Sequence, residues 1–564
     1  MKSGQNLHEK PSLILSRIMV YMTNLLDALL RSSLNYGSNG FILLKKGKIN
    51  KSLSYTELYE CVNCLAKNIA KDIYAGERVG LAYYNELDFI KSFFAIQLSG
   101  GVPVPMAPPR SFSPLKHFVD KVNRICMQSR IRYIFVSERV LDAVSNAFEE
   151  EVNLKIVSLA SYENEGLDGQ VKWPLSEIAL IQYTSGSVSK PKGVVVTHKN
   201  LITNIQSMYS ALEMSHSSSG ITWLPFYHDM GLIGCLLLPI YAGSDIYIME
   251  TEEFVRNPFL WLQALSFYSL AFSPAPNFAY KYCVERISES KSNKLDLSSW
   301  KVAINAAEPV EPSTMRAFSD KFGPVGFDEK AIMPLYGMAE ATLGVTFPEV
   351  GSGLKTKYIN RDQFSRGKIV VCDRSSTNVK EVVSCGSAIE HVQVCIYSEK
   401  LGFANKDLIL GEICIKGESV CKMYDNDREA TLRMFNDGWF KTGDIGFIVE
   451  EEIYIVGRNK EIMIINGLNY FANDIENIVQ TLDGVLTAAA APAESNGAAG
   501  VAIFVVTKSR SDQQYISHKI RFMISNILGL NIDEVVFVTS SMIPRTTSGK
   551  IDRLRVKNLL LNER

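Results

Sequence analysis

The chain has 564 residues, 46% hydrophobic and 21% charged, with 59 Lys and Arg against 60 Asp and Glu for a formal charge of -1. At about 150 residues per domain this predicts three or four domains or subdomains, and the composition excludes a collagen-like, coiled-coil or largely disordered chain. No basic excess marks a nucleic-acid binder, so no nucleic-acid partner is expected. The ten cysteines form no dense framework and no secretory leader precedes them, so a reducing cytoplasm is the expected compartment.

In chain order, residues 12–30 are apolar but interrupted by Arg17, Asn24 and Asp27, which predicts an amphipathic helix and not a transmembrane segment. In SYTELYECVNCLAKNIA (54–70), Ser54 and Glu57 have capping-box spacing, and Leu58, Cys61, Val62, Leu65 and Ile69 form a helical stripe. Cys61 and Cys64 are read there as core packing, with no second ligand pair for zinc. RIRYIFVS (130–137), EIALIQYTS (177–185), SDIYIM (244–249) and KVAINAA (301–307) look like strands alternating with helical patterns, which argues for α/β units with mostly parallel sheet. Residues 230–249 hold one charge, Asp245, but Pro239 and the glycines break them into a short helix, a turn and a strand. From residue 383 short strands such as HVQVCIYS, GEICIKG and EEIYIVGR predict a small β-rich subdomain. The last hundred residues return to mixed α and β, with GVAIFVVTKS and DEVVFVTS as strands around the helix QQYISHKIRFMISNIL.

The strongest local signal is YTSGSVSKPKG (183–193), directly after the apolar strand IALIQ. Hydroxyls and closely spaced backbone N–H groups suit a phosphate chain. Lys190 and Lys192 add charge, and Gly186 and Gly193 permit backbone geometries that a side chain would block. Pro191 stands where a Walker loop needs Gly. A Ser/Gly run alone would also suit a polar surface turn.

This segment resembles the phosphate loop of the adenylate-forming superfamily, which includes acyl-CoA synthetases, luciferases and nonribosomal peptide adenylation domains. The resemblance continues in order through LPFYHDMGLIG (224–234), PLYGMAEATLG (334–344), KTGDIG (441–446), GRNKEIMIINGLNY (457–470) and PRTTSGKIDR (544–553). The phosphate loop departs from the commonest form at Val188 and Ser189. LLLPIYAG, INAAEPV, YINRDQFSRGKIVV and VVSCG further resemble the fatty acyl-AMP ligase branch.

The resemblance implies a large N-terminal domain (1–457) of mixed, mostly parallel sheets with helices. It would carry the β-rich subdomain (383–457) and a family-type insertion (351–375), and be followed by a small mobile α+β lid (458–564) hinged at Lys460. It implies ATP-dependent activation of a fatty acid to acyl-AMP and pyrophosphate, then transfer to the phosphopantetheine thiol of an acyl carrier protein or a polyketide or peptide synthase carrier domain. Lys550, Glu340 and His228 are the implied catalytic residues. Thr184, Ser185, Gly186, Ser187, Lys190, Lys192 and Gly193 would hold phosphates, with Glu340 and Thr184 binding Mg²⁺. Ala306, Ala307 and Glu308, with Tyr336, Gly337, Met338 and Ala339, would surround adenine. Asp444 and Arg458 would take the ribose.

Within the insertion, Phe364, Ile369, Val370 and Val371 are expected to anchor a strand at 368–372 on the N-terminal domain. Two alternatives remain open: a fatty acyl-CoA ligase, and a non-catalytic binding protein, which should have lost Glu340, Asp444, Arg458 or Lys550.

Overall fold

The computed structural model describes residues 22–109, 114–148, 154–163, 174–184, 191–495, 498–509, 512–545, 551–553, 555, 556 and 558. The fold is mixed α/β, as expected. Seven strands form one sheet in the order Ile332–Pro334, Val302–Asn305, Phe272–Ala275, Gly220–Thr222, Ile246–Ile248, Gly40–Lys45 and Lys48–Ser54. Every neighbouring pair is parallel except the last two, which form a hairpin. A second, fully parallel sheet runs Val102–Pro105, Arg78–Ala82, Tyr133–Val136, Lys155–Val157.

Local chemistry accounts for the boundaries. The Ser54–Glu57 capping box forms, with Ser54 Oγ accepting from the Glu57 N–H at 3.2 Å and Glu57 answering at the Ser54 N–H at 2.8 Å. The helix Tyr55–Ile69 then buries Leu58, Val62, Leu65 and Ile69. Cys61 is half-buried and Cys64 is exposed, so Cys64 lies off the packed stripe and its reading as core is corrected. Of the amphipathic stretch expected at 12–30, the described part is the start of a helix spanning Leu25–Asn35, capped by Asn24.

Two readings change for physical reasons. The strand Ile178–Tyr183 pairs antiparallel with Gly193–Thr197, because the short connection between them makes a hairpin and leaves no room for a parallel crossover. Pro239 does not break its helix. It sits near the start of Leu238–Ala242, which continues directly from the helical residues before it, and the stop comes at Gly243 with φ of 74°. Ahead of that helix, Met230–Leu237 is a π-helix that starts at Asp229, whose carboxylate accepts from the Met230 N–H at 2.8 Å. A Cβ on Gly231 would stand 2.2 Å from the Pro225 carbonyl, so glycine lets this helix press against the preceding loop.

The β-rich subdomain is a six-stranded antiparallel sheet in which Trp439–Val449 lies between Gly411–Gly417 and Glu452–Arg458. In the insertion the strand is Thr356–Asn360, paired with Val379–Val383, and a short helix Arg361–Ser365 follows. Residues 368–372 keep only the bridge of Val371 to Ile359, which corrects the expected strand position. Phe364 and Ile369 are buried, whereas Val370 and Val371 are 43% and 41% exposed. Phe364 stacks on Phe471 at 5.2 Å, so the segment packs on the strands at 439–458 and also on chain beyond residue 460.

Residues from Met463 to Ile532 have a hydrophobic core of their own. It joins the hairpin Ile462–Ile465/Leu468–Phe471, the helix Ala472–Gln480 and the helix Gln513–Leu528 to the sheet Val485–Ser495, Ala498–Thr507, Glu534–Phe537. No helix among the described residues is long and apolar enough to cross a membrane.

Candidate active site

A cleft of about 1660 Å³ runs between these parts. Thr184, Lys192, His228, Ala306, Ala307, Glu308, Tyr336, Gly337, Met338, Ala339, Glu340, Asp444, Arg458 and Lys460 all line it. Thr184 and Lys192 form the neck of the hairpin that joins the strands Ile178–Tyr183 and Gly193–Thr197, with the Thr184 N–H donating to the Lys192 carbonyl at 3.1 Å. Ser185, Gly186, Ser187 and Lys190 lie outside the described residues, as does Lys550. Gly193 lies in the strand behind the neck. A Cβ there would stand 2.8 Å from Ile181, so it is a glycine for space and not for unusual dihedrals.

The segment after Tyr336 is folded tightly. A Cβ on Gly337 would meet the Leu343 carbonyl at 2.1 Å. Thr342 takes φ 72°, ψ -62°, a strained backbone for a β-branched residue, anchored by its hydroxyl donating to the Ser419 carbonyl at 2.7 Å. This turn aims Glu340 at Tyr424, whose hydroxyl donates to Glu340 Oε1 at 2.8 Å. Burial pushes the Glu340 carboxyl above its usual range, and the bond from Tyr424 works against that push. The Lys192 ammonium lies 4.9 Å from the Tyr424 ring, so this tyrosine ties Lys192 to the half-buried Glu340.

A second group forms across the cleft floor. Asp444 and Arg458 are direct register partners on neighbouring strands. Arg458 Nε lies 3.0 Å from Asp444 Oδ1, and the Tyr336 hydroxyl donates to Asp444 Oδ2 at 2.7 Å. Asp444 raises Arg458 further above its ordinary value, and burial pushes Tyr336 up. A carboxylate offers about four lone-pair sites, so Asp444 keeps acceptor capacity toward the cleft. On the adjacent wall Asn305 is fully buried and donates to Asn277 Oδ1 at 3.1 Å, which fixes the start of the loop at 306–308. Ala307 there has φ of 71°. Glu308 accepts from the Phe278 N–H at 2.5 Å.

His228 sits at the mouth of the π-helix beside Tyr227, ring centroids 5.1 Å apart. The Tyr227 carbonyl accepts from Gln182 Nε2 at 2.9 Å, which ties this corner to the strand that leads into the phosphate loop. Beyond His228 the cleft turns apolar, walled by Met208, Leu212, Met230, Leu238, Phe272 and Leu343. Gly231, Gly234 and Leu238 face it, while Leu232, Ile233, Leu236 and Leu237 belong to the core.

Tyr424 and its neighbour Asp425 were not marked by any sequence pattern. Asp425 accepts from Ser129 Oγ at 2.6 Å and lies 3.2 Å from Arg78, and Ser129 in turn bonds the Tyr183 hydroxyl at 2.7 Å. The segment 423–425 thus braces the base of the phosphate loop and Glu340 together. Its register is set by Tyr424 bridging Val194, a pairing of residues 230 positions apart that local spacing cannot reveal.

The AMP-binding enzyme family matches residues 39–425. The chain belongs to that family. Residues 460–564 match the AMP domain described as Disco-interacting protein 2-like. Similar AMP-binding enzymes include the medium-chain-fatty-acid–[acyl-carrier-protein] ligase TtuA of Teredinibacter turnerae, 30% identical over 98% of this chain and 94% of that protein. The ligase of the same name JamA, of Moorena producens, is 33% identical over 94% of each. A solved structure from work on the fatty acyl-adenylate ligases of E. coli and L. pneumophila superposes with a TM-score of 0.90 at 29% identity, covering 96% of this chain and 98% of that one. The protein is an adenylate-forming ligase by family and by fold.

Proposed function

We propose that this enzyme activates a fatty acid with ATP to fatty acyl-AMP and then passes the acyl group to the phosphopantetheine thiol of an acyl carrier protein or carrier domain. The observation that carries the reading is the continuity of one cleft: the Tyr336–Asp444–Arg458 group and the acid Glu340 open directly onto an apolar wall. Such a site takes a nucleotide at one end and an apolar carboxylic acid at the other. The carrier-protein acceptor is supported by the names of TtuA and JamA. All ten cysteines are thiols outside any disulfide, which suits a cytoplasmic enzyme.

In the first step the substrate carboxylate oxygen attacks the α-phosphorus of ATP and pyrophosphate leaves. Tyr336 and the loop at 306–308 flank the base, Asp444 and Arg458 hold the ribose, and Thr184, Lys192 and the loop between them hold the departing phosphates. Glu340, half-buried and facing the cleft beside Tyr424, fits a divalent cation, with Thr184 on the phosphate side. Among the described residues no group of three or more metal-ligating side chains forms, which fits Mg²⁺ held by one carboxylate and substrate phosphates. Mg²⁺ when bound would shield the polyphosphate charge. His228, which lines the cleft beside Tyr227, would orient the acyl carboxylate toward the α-phosphate. Lys550 offsets the negative charge that develops when two anions are brought together. In the second step the thiol attacks the acyl carbonyl and AMP leaves.

We assign residues 458–564 to a lid pivoting at Lys460, supported by its separate core. Lys460→Pro should disturb thiol transfer more than adenylation. The insertion, through Phe364 on Phe471, restrains that lid against CoA-dependent transfer. The test is mass spectrometry of the adenylate formed from a mixed fatty-acid pool, followed by addition of carrier protein or CoA. Acyl-adenylate consumed by the carrier protein supports the reading. Efficient acyl-CoA formation moves the enzyme to the CoA-ligase class, and no adenylate at all contradicts the reading.

A further inference from the structure

The segment that follows Lys550 is tied down by charge. Arg553 Nε and Nη2 meet both oxygens of Glu476, at 3.0 and 2.6 Å, and its Nη1 meets Glu461 Oε2 at 2.7 Å. Glu476 is buried in the helix Ala472–Gln480 and also accepts from the Ala490 N–H at 3.0 Å. Glu461 closes the short turn Asn459–Glu461, one residue after Lys460 and three after Arg458. The two ends of the Lys550 loop are held to each other: Ile551 bridges Arg545, and the Asp552 N–H donates to the Pro544 carbonyl at 2.8 Å. Lys460, Glu461, Ile551, Asp552 and Arg553 all line the cleft.

The two arms of this clamp differ in kind. The bidentate arm to Glu476 neutralises a buried carboxylate, and removing either partner would leave a buried charge uncompensated. The arm to Glu461 joins side chains that are 22% and 28% exposed. Losing that arm leaves the bidentate pair of Arg553 with Glu476 in place, so no buried charge is left uncompensated. What the Glu461 arm adds is a link between the pivot turn and the base of the Lys550 loop. The same turn begins at Arg458, which pairs with Asp444 in the nucleotide site.

We propose that Arg553, through Glu461, is a positioning residue for adenylation: it ties the residues that directly follow Lys550 to the turn at Lys460, so that these two described segments move as one. The proposal rests on Lys550 acting in the adenylation step.

The test uses the full chain with Glu461→Gln, Arg553→Lys, Lys550→Ala and the double variant Glu461→Gln/Lys550→Ala. Fatty-acid-dependent pyrophosphate exchange gives kcat and the KM for ATP, melting gives stability, and a preformed acyl-adenylate offered to a pantetheine thiol isolates the second step. Glu461→Gln should lower the adenylation kcat about tenfold, as a misplaced catalytic group does, with the KM for ATP, the melting temperature and thiol transfer nearly unchanged. Arg553→Lys should fall between the wild type and Glu461→Gln. In the Lys550→Ala background Glu461→Gln should add less than about a twofold loss, since residues acting through one another are not additive. An unaffected Glu461→Gln enzyme, or a full tenfold loss in the Lys550→Ala background, overturns this proposal while leaving Lys550 in place. Wild-type exchange by Lys550→Ala overturns the reading of Lys550 and this proposal with it.

Discussion

The Tyr336–Asp444–Arg458 end of the cleft and the chain beyond residue 460 are built on different terms. The first is a bonded network: Asp444 accepts from Tyr336 and pairs with Arg458, and Tyr424 links Glu340 to Lys192. The second has its own core and meets the rest through the Phe364–Phe471 stack and the pair Lys380–Asp474 at 2.6 Å. Lys380 is buried beneath those two rings, and burial lowers its pKa despite Asp474 beside it. A preorganised binding end and a second body with a core of its own are what an enzyme needs if it binds in one arrangement and performs two reactions. The comparison teaches that affinity should reside in the first region and step selectivity in the second.

The largest expected effect breaks the comparison on the side of the second body. Lys550→Ala should lower adenylation about 10²–10³-fold, the range for removing one stabiliser of transition-state charge. Consumption of a preformed adenylate should change far less. Equal losses in both steps would mean that the lysine serves the fold of the lid and not the chemistry.

The next effect concerns the first body alone. His198 opens the helix His198–Ala211, is buried, and has its pKa lowered to about 4 by burial, with Nδ1 accepting from the Leu25 N–H at 3.4 Å. The folded state therefore holds the neutral form. Stability is fully present above the unfolded value near 6.5 and is lost as pH falls toward 4, by up to about 3 kcal/mol. Melting followed against pH should show this loss in the wild type and a flatter profile in His198→Asn. Identical profiles would remove His198 from the account.

Smaller effects separate binding from selectivity. Asp444→Asn should raise the KM for ATP about tenfold or more, since it weakens charge-assisted bonds worth about 1.5–3 kcal/mol. Tyr424→Phe removes one bond to Glu340 and should lower adenylation several-fold, about 1 kcal/mol, with a greater Mg²⁺ requirement. Its ring stays, so the contact with Lys192 is kept and folding should be intact. The smallest change in adenylation is expected for Phe364→Ser, which frees the junction. Acyl-CoA formation should then become measurable while adenylation persists, and failure to gain any CoA activity would separate the insertion from acceptor choice.

Much of this was legible in the sequence because it lies in short, contiguous patterns. The capping box at Ser54, the helix at 513–528 and the motifs at 183–193, 334–344 and 441–446 are local, and a local pattern needs no knowledge of the fold. What was hidden depends on pairing over distance. The hairpin partner of Ile178–Tyr183 is set by an antiparallel register, and the strand of the insertion is set by Val379–Val383, outside the segment itself. Tyr424 and Asp425 reach the site only because residues 423–425 run beside Gly193–Val195. Phe364 was readable as an anchor, but its partner Phe471 lies over a hundred positions away, so the body it packs against could not be read.

The central claim is that one cleft joins a nucleotide to an apolar acid. It is tested most directly by ATP–pyrophosphate exchange with the purified full chain, run with and without a fatty acid and repeated with Glu340→Gln. The account predicts exchange that appears only with the fatty acid and collapses in the variant. Exchange independent of any fatty acid, or unchanged by Glu340→Gln, would contradict it.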